Sequence, residues 1–121
     1  MKFTADQGSL LKLIAECSSA TKADKNASEI LSNLKLELED KRLTVTATDL
    51  EVQIKGFIEV DQVSAGSITV PAKKFADIVK NVSGAIEFTL DEAKNENGNP
   101  TATIRSGRSR FKLQTLPATD F

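Results

Sequence analysis

The sequence contains no histidine, no tryptophan and no tyrosine. Histidine titrates nearest neutrality and is the commonest metal ligand, so its absence removes the usual general base and the usual transition-metal donor. A single cysteine, Cys17, excludes an internal disulfide. It falls on the apolar side of a helical pattern and reads as a buried core thiol, with no imidazole to activate it. No Gly-rich phosphate loop of the GxxxxGK[ST] or GxGxxG kind is present, and no serine has a basic partner. Two acidic pairs remain, Asp49 with Glu51 and Asp91 with Glu92. Neighbouring carboxylates in turns read as solvated or capping groups before they read as metal ligands. Catalytic residues, metal and cofactor are therefore all expected to be none. The net charge of −1 gives no global basic character, so any nucleic-acid role must come from local placement of charge. No apolar run approaches the length of a membrane span, and the start MKFTADQ lacks the basic and apolar regions of a signal peptide. A cytoplasmic protein with no membrane partner is expected.

What is present is enough for one folded unit. The 121 residues, 40% of them apolar and 27% charged, suit a single domain, 1–121, with a core that needs no staples. The chain is organised around Ser67–Val82, SITVPAKKFADIVKNV. Ile68 and Val70 alternate with Ser67 and Thr69 as in a half-buried strand, and Pro71 stands near the first position of a helix. At about 100° per residue, Ala72, Phe75, Ile78, Val79 and Val82 fall on one side of that helix. Lys73, Lys74, Asp77, Lys80 and Asn81 fall on the other, with Asp77 between Lys73 and Lys80. The same unit opens the chain. Lys2–Ala5 alternates, Asp6 suits an N-cap, and Leu10, Leu13, Ile14 and Cys17 keep helical spacing opposite Ser9, Lys12, Glu16 and Ser19.

Each unit is followed by three strand-like segments. Thr21–Ser28 is a polar loop carrying Lys22 and Lys25. Leu34, Leu36 and Leu38 then alternate with Lys35, Glu37 and Glu39, Asp40-Lys41 turns the chain, and Leu43, Val45 and Ala47 alternate with threonines. Val52 and Ile54 begin a third strand in which Gly56 breaks the phase, as at a bulge. Asp61–Gly66 reads as a loop. After a helix stop at Ser83-Gly84 come Ile86, Phe88 and Leu90, the polar loop Glu92–Pro100, and a hairpin of Thr101–Arg105 and Ser109–Gln114 joined by Ser106-Gly107-Arg108. LPATDF shows no closing secondary structure and reads as a linker into a longer protein. Two copies of β-α-β-β-β make an internal pseudo-repeat. The expected fold is α+β, with a pseudo-twofold axis and two helices on one side of antiparallel sheet.

MKFTADQGSLLKLI, TVTATDLEVQI, TVPAKKFADIVK and RSGRSRFKLQTLPATDF together resemble the N-terminal domain of the bacterial sliding clamp, the beta subunit of the replicative DNA polymerase. The likeness covers the whole chain in order. It implies the DNA-clamp fold, the first of three such domains, and a second clamp subunit closing a ring around duplex DNA. It implies no enzymatic activity, and polymerase and clamp-loader contacts made through later domains. Lys12, Lys73 and Lys80 would then turn toward the hole and meet phosphates without regard to sequence. The loop before Ile30 departs from the family pattern, which has a basic residue before a proline-containing TLPIL-like run; here it reads KNASEIL. Lys25 matches that residue best, with Lys22 as the other choice. RSGRSRFKL corresponds to the edge that closes the ring, so Arg108, Arg110 and Phe111, with Lys74 nearby, are expected at the dimer joint. Read without the family, Phe111 is core and both arginines are solvated. An acidic outer sheet surface is expected to keep DNA inside. The competing readings are a small α+β module that binds a protein through its last strand, and a carboxylate metal-dependent nuclease.

Overall fold

The structure, a computed structural model, describes residues 1–18, 32–49, 51–91 and 98–120. The opening alternation gives β1 (Lys2–Asp6), with Phe3 and Ala5 buried. Helix α1 (Gln7–Ser18) follows at once and buries Leu10, Leu13, Ile14 and Cys17. Asp6 caps it as its sequence position implies. Its carboxylate accepts the Ser9 amide at 3.0 Å and the Ser9 hydroxyl at 3.2 Å, satisfying donors that a helix start leaves open.

A meander comes next, β2 (Asn33–Glu39), β3 (Arg42–Thr48) and β4 (Gln53–Glu59). Leu34, Leu36, Leu38, Leu43, Val45 and Ala47 form its buried face. The turn between β2 and β3 holds Asp40 at φ 53° and Lys41 at φ 62°, the double left-handed geometry that follows the twist of a tight hairpin. Gly56 makes no bulge: the pairing runs unbroken from Arg42↔Glu59 to Thr48↔Gln53. Its lack of a side chain has another cause, because a Cβ there would lie 2.7 Å from Leu13 Cδ1. The glycine lets α1 settle onto the sheet.

The segment expected to be a loop contains β5 (Asp61–Ser64), which pairs with β1. Then come β6 (Gly66–Pro71), α2 (Ala72–Lys80), β7 (Ala85–Asp91), β8 (Thr101–Ser106) and β9 (Ser109–Gln114). Pro71 ends β6 as the N-cap of α2, at φ −62° and ψ 122°. The last hairpin closes through two residues, Gly107 and Arg108, since Ser106 already pairs with Ser109. The polar segment between β7 and β8 lies outside the described residues from 92 to 97.

The strands form two antiparallel sheets, β5-β1-β7-β8-β9 and β4-β3-β2-β6. Each half contributes its first strand to the other half's meander: β1 joins β7 and β6 joins β2. The pseudo-twofold relation therefore holds in topology, and it accounts for both places where a strand was not expected. After β4 the chain returns to line β1 as β5. After β9 it returns to line β6, where Thr69 and Leu116 exchange backbone hydrogen bonds of 2.9 and 3.1 Å. The segment from Leu116 is thus tied down, and a 3-10 turn, Ala118–Asp120, follows. Thr69 Oγ1 also donates to the Leu116 carbonyl at 2.9 Å and accepts from buried Asn33 Nδ2 at 3.0 Å.

One contiguous core joins both sheets and both helices. Phe3 of β1 stacks on Phe88 of β7 at 5.1 Å between centroids, and Phe75 of α2 meets Phe88 edge-on at 6.1 Å. Lys41 is held at positive φ, where a side chain costs about 1–2 kcal/mol. Glycine avoids that cost and loses roughly 0.5–1 kcal/mol to added freedom of the unfolded chain. Lys41→Gly is expected to raise unfolding stability by up to about 1 kcal/mol in urea denaturation, with the Lys41 amide still bonded to Gln62 Oε1 at 2.8 Å.

Candidate functional site

Both helices bury one face in the shared core and leave the other to solvent. They are also tied directly: Gln7 donates its side-chain amide to the Val79 carbonyl at 2.9 Å and its backbone amide to the Gly84 carbonyl at 2.9 Å. Lys12 of α1 and Lys73, Asp77 and Lys80 of α2 are exposed on this two-helix surface. Lys12 borders a hollow of about 260 Å³ with Ser9, Leu13, Glu16, Phe57 and Ile58, where α1 adjoins β4. Among the described residues none of the three lysines forms an ion pair. Lys25 and its alternative Lys22 lie outside the described residues.

The second expected group lies on β9. Arg110 is exposed on its outer face, Arg108 is exposed in the preceding turn, and Phe111 is half-buried against the core. Phe111 thus has one side in the core and one side open. Arg105 stands directly across from Arg110, so two guanidiniums face each other across the hairpin. Lys74 is exposed on α2 but borders a hollow of about 390 Å³ with Asn33, Pro71, Gln114, Thr115 and Leu116. It is therefore near the far end of β9, away from Arg108. The sheet exterior is not acidic as expected. Lys2 and Lys35 pair with Glu87 and Glu37 at 3.7 Å each, and the β8–β9 hairpin presents Arg105, Arg108, Arg110 and Lys112.

The sequence reading overlooked the β4 edge. Phe57 is 56% exposed and carries the Arg42 guanidinium 4.3 Å from its ring centre. The signal was in QIKGFIE, where strict alternation from Ile54 to Ile58 puts Phe57 on the polar face. Asp49 behaves as a turn residue: its carboxylate accepts the amides of Glu51 at 2.9 Å and Val52 at 2.7 Å. Among the described residues no cluster of acidic or cysteine side chains fits a metal ion, and no helix is long and apolar enough to cross a membrane.

The whole chain, residues 1–121, matches the family model described as DNA polymerase III beta subunit, N-terminal domain. A beta sliding clamp of Vibrio cholerae is 41% identical over 124 residues, covering all of this chain and 32% of that protein. The crystal structure of a DNA polymerase sliding clamp from Caulobacter crescentus superposes with a TM-score of 0.90 at 34% identity, over all of this chain and 32% of that one. The DNA polymerase III subunit beta from Pseudomonas aeruginosa gives 0.87 at 35% identity, again over all of this chain and 31% of the other. The chain thus spans about a third of the length of these relatives.

Cys17 lies beneath the helix surface. Burial pushes its thiol above the ordinary value, the adjacent Glu16 carboxylate adds to this, and a backbone hydrogen bond at Gly56 opposes it. The thiol donates to the Val45 carbonyl at 3.6 Å. Native protein at mildly alkaline pH should resist thiol alkylation that the denatured chain undergoes readily. A raised folded pKa stabilises the fold below the unfolded thiol pKa, and that contribution is lost as pH rises through the folded one. Denaturation midpoints should therefore fall in strong alkali, and a Cys17→Ala variant should lose that part of the fall.

Proposed function

The chain belongs to the DNA polymerase III beta subunit family, in its N-terminal domain, and on that premise we propose that it acts as the first of three domains in a ring-shaped processivity clamp. The ring encircles duplex DNA and tethers the replicative polymerase in the cytoplasm. It catalyses no reaction and needs no cofactor. The observation that carries this reading is the set of exposed lysines, Lys12, Lys73 and Lys80, free of ion pairs among the described residues, on adjoining helices of a chain whose net charge is −1. Local placement supplies a positive surface that composition does not.

Ammonium groups on flexible stems meet phosphate oxygens without base readout, and each contact exchanges easily as the duplex moves past. Asp77 moderates the attraction. Retention comes from the closed ring, so weak contacts suffice. Lys25, which the family pattern matches to a DNA-contacting basic residue, would add a further contact. The polymerase and clamp loader would be engaged through the other domains. The ring would close where β9 meets a second subunit, with Arg108, Arg110 and Lys74 facing carboxylates and Phe111 giving apolar contact. The open β9 edge and the opposed Arg105 and Arg110 support that joint. The same edge also suits a module that binds protein without any DNA role, and the DNA test separates the two.

In the full-length ring, changing Lys12, Lys73 and Lys80 to Glu should slow loading or shorten retention on circular DNA. The deficit should be largest at low salt and shrink as salt screens the contacts that the variant lacks. The 121-residue chain alone should bind duplex weakly or undetectably, because three phosphate contacts give a log–log salt slope of only about −3. Tight, sequence-selective binding by the chain alone would overturn the reading, and full retention by the triple variant would favour the protein-binding module. For the joint, Arg108→Glu with Phe111→Ala in the full-length protein should shift the dimer toward monomer in analytical ultracentrifugation, with circular dichroism unchanged. A dimer intact at nanomolar concentration would move the interface to another strand.

A further inference from the structure

Lys73, Asp77 and Lys80 stand on one stripe of α2, since at about 100° per residue they fall within about 60° of one another. All three are exposed. We propose that Asp77 keeps a single phosphate from being held by Lys73 and Lys80 together, and so determines how freely the ring slides. The inference rests on the DNA reading above and gives a specific role to the acid on a basic stripe.

Asp77 does little for the fold. Aspartate is a poor helix former, and this one lies three residues from the end of α2, where the helix dipole disfavours a carboxylate. Standing four residues after Lys73 and three before Lys80, it could pair with either. Among the described residues it pairs with neither, and neither lysine has another ion partner. The backbone carbonyl of Asp77, not its carboxylate, accepts the Asn81 side-chain amide at 2.6 Å. That bond does not depend on the side chain at 77. Local preference is thus broken here with no return in stability, the pattern expected where a residue serves function.

The spacing shows what the carboxylate can do. At a rise of about 1.5 Å per residue, Lys73 and Lys80 are about 10.5 Å apart along the axis, with Asp77 about 6 Å from the first and about 4.5 Å from the second. Both lysines have flexible four-carbon stems, so both ammoniums can turn toward the midpoint and grip one phosphate. A duplex gripped in this way advances only by breaking two charge-assisted contacts together. A carboxylate at the midpoint repels the phosphate from that position and leaves each lysine to meet a separate one. Contacts then break singly, each at a smaller cost. Asp77 is closer to each lysine along the axis than the Debye length of about 8 Å at physiological salt, so its repulsion persists there.

The test is one-dimensional diffusion of the full-length ring on long linear duplex with blocked ends, followed by single-molecule tracking. Circular dichroism confirms the fold of each variant. Asp77→Asn should slow diffusion about threefold, the factor that Coulomb's law gives for unit charges about 6 Å apart in water. The slowing should fade as salt rises. Asp77→Glu should move as the parent ring does. Adding Lys80→Ala to Asp77→Asn should remove the slowing, because the grip needs both lysines. Glu39→Gln, which removes an exposed acid at the end of β2, controls for net charge. Parent speed in Asp77→Asn, slowing in Asp77→Glu, slowing that survives Lys80→Ala, or equal slowing by Glu39→Gln overturns the inference. The DNA reading is decided separately by changing Lys12, Lys73 and Lys80 to Glu. If that triple variant loses retention while Asp77→Asn slides at parent speed, the DNA reading stands and the role of Asp77 falls. If the triple variant retains DNA fully, both fall.

Discussion

The exchange of first strands is the constraint on which the rest of this molecule depends. β1 pairs with β7 and β6 with β2, so neither meander is complete without a strand from the other half. Because α1 follows directly on β1 and α2 directly on β6, the exchange also fixes where the helices start. Both must cross back over the same core, and they do so side by side, tied by Gln7. The stacked Phe3 and Phe88, with Phe75 edge-on, lie where the two halves meet. Such aromatic pairs are worth about 0.5–1.5 kcal/mol beyond the area they bury. A helix surface drawn from both halves is thus a product of connectivity, and its exposed lysines stand on helices whose places the sheets below determine.

Much of this was legible in the sequence, wherever one face is dry and the other wet. Leu34, Leu36 and Leu38, or Phe75 and Val79, announce their element because the core selects them at a fixed period. The lysine positions on the helices follow from the same period. What could not be read depended on partners distant in the chain. β5 is DQVS, too short and too exposed to show an alternation, and is a strand only because β1 offers it an edge. Gly56 has the composition of a bulge, yet its cause is Leu13 on a helix far earlier in the sequence. Leu116 is held by Thr69, and nothing local to LPATDF says so. The split into two sheets likewise comes from pairing rules that no window of residues contains.

Charge is distributed with comparable economy. Total charge nearly cancels, yet basic groups gather on the helix surface and along the β8–β9 hairpin, while acids gather at the end of β4. Surface charges of this kind contribute little to folding stability, since exposed pairs such as Lys2–Glu87 are worth about 1 kcal/mol or less. Their arrangement is free to serve association. The core, from which charged side chains are absent among the described residues, carries the stability.

The strand exchange also sets a timetable for synthesis. Lys2 must find Thr89 and Phe3 must find Phe88, so the first strand has only the short β5 beside it until the second unit has left the ribosome. At about 5–20 residues per second that interval lasts several seconds. During it the β2-β3-β4 meander can form from local contacts, but its apolar face has neither β6 nor the aromatic pair to cover it. Long-range pairing of this kind slows folding and lengthens the exposure of unpaired edges. The nascent chain therefore exposes apolar surface at a stage when the finished domain does not, and the length of that exposure is set by the pace of translation between β4 and β7.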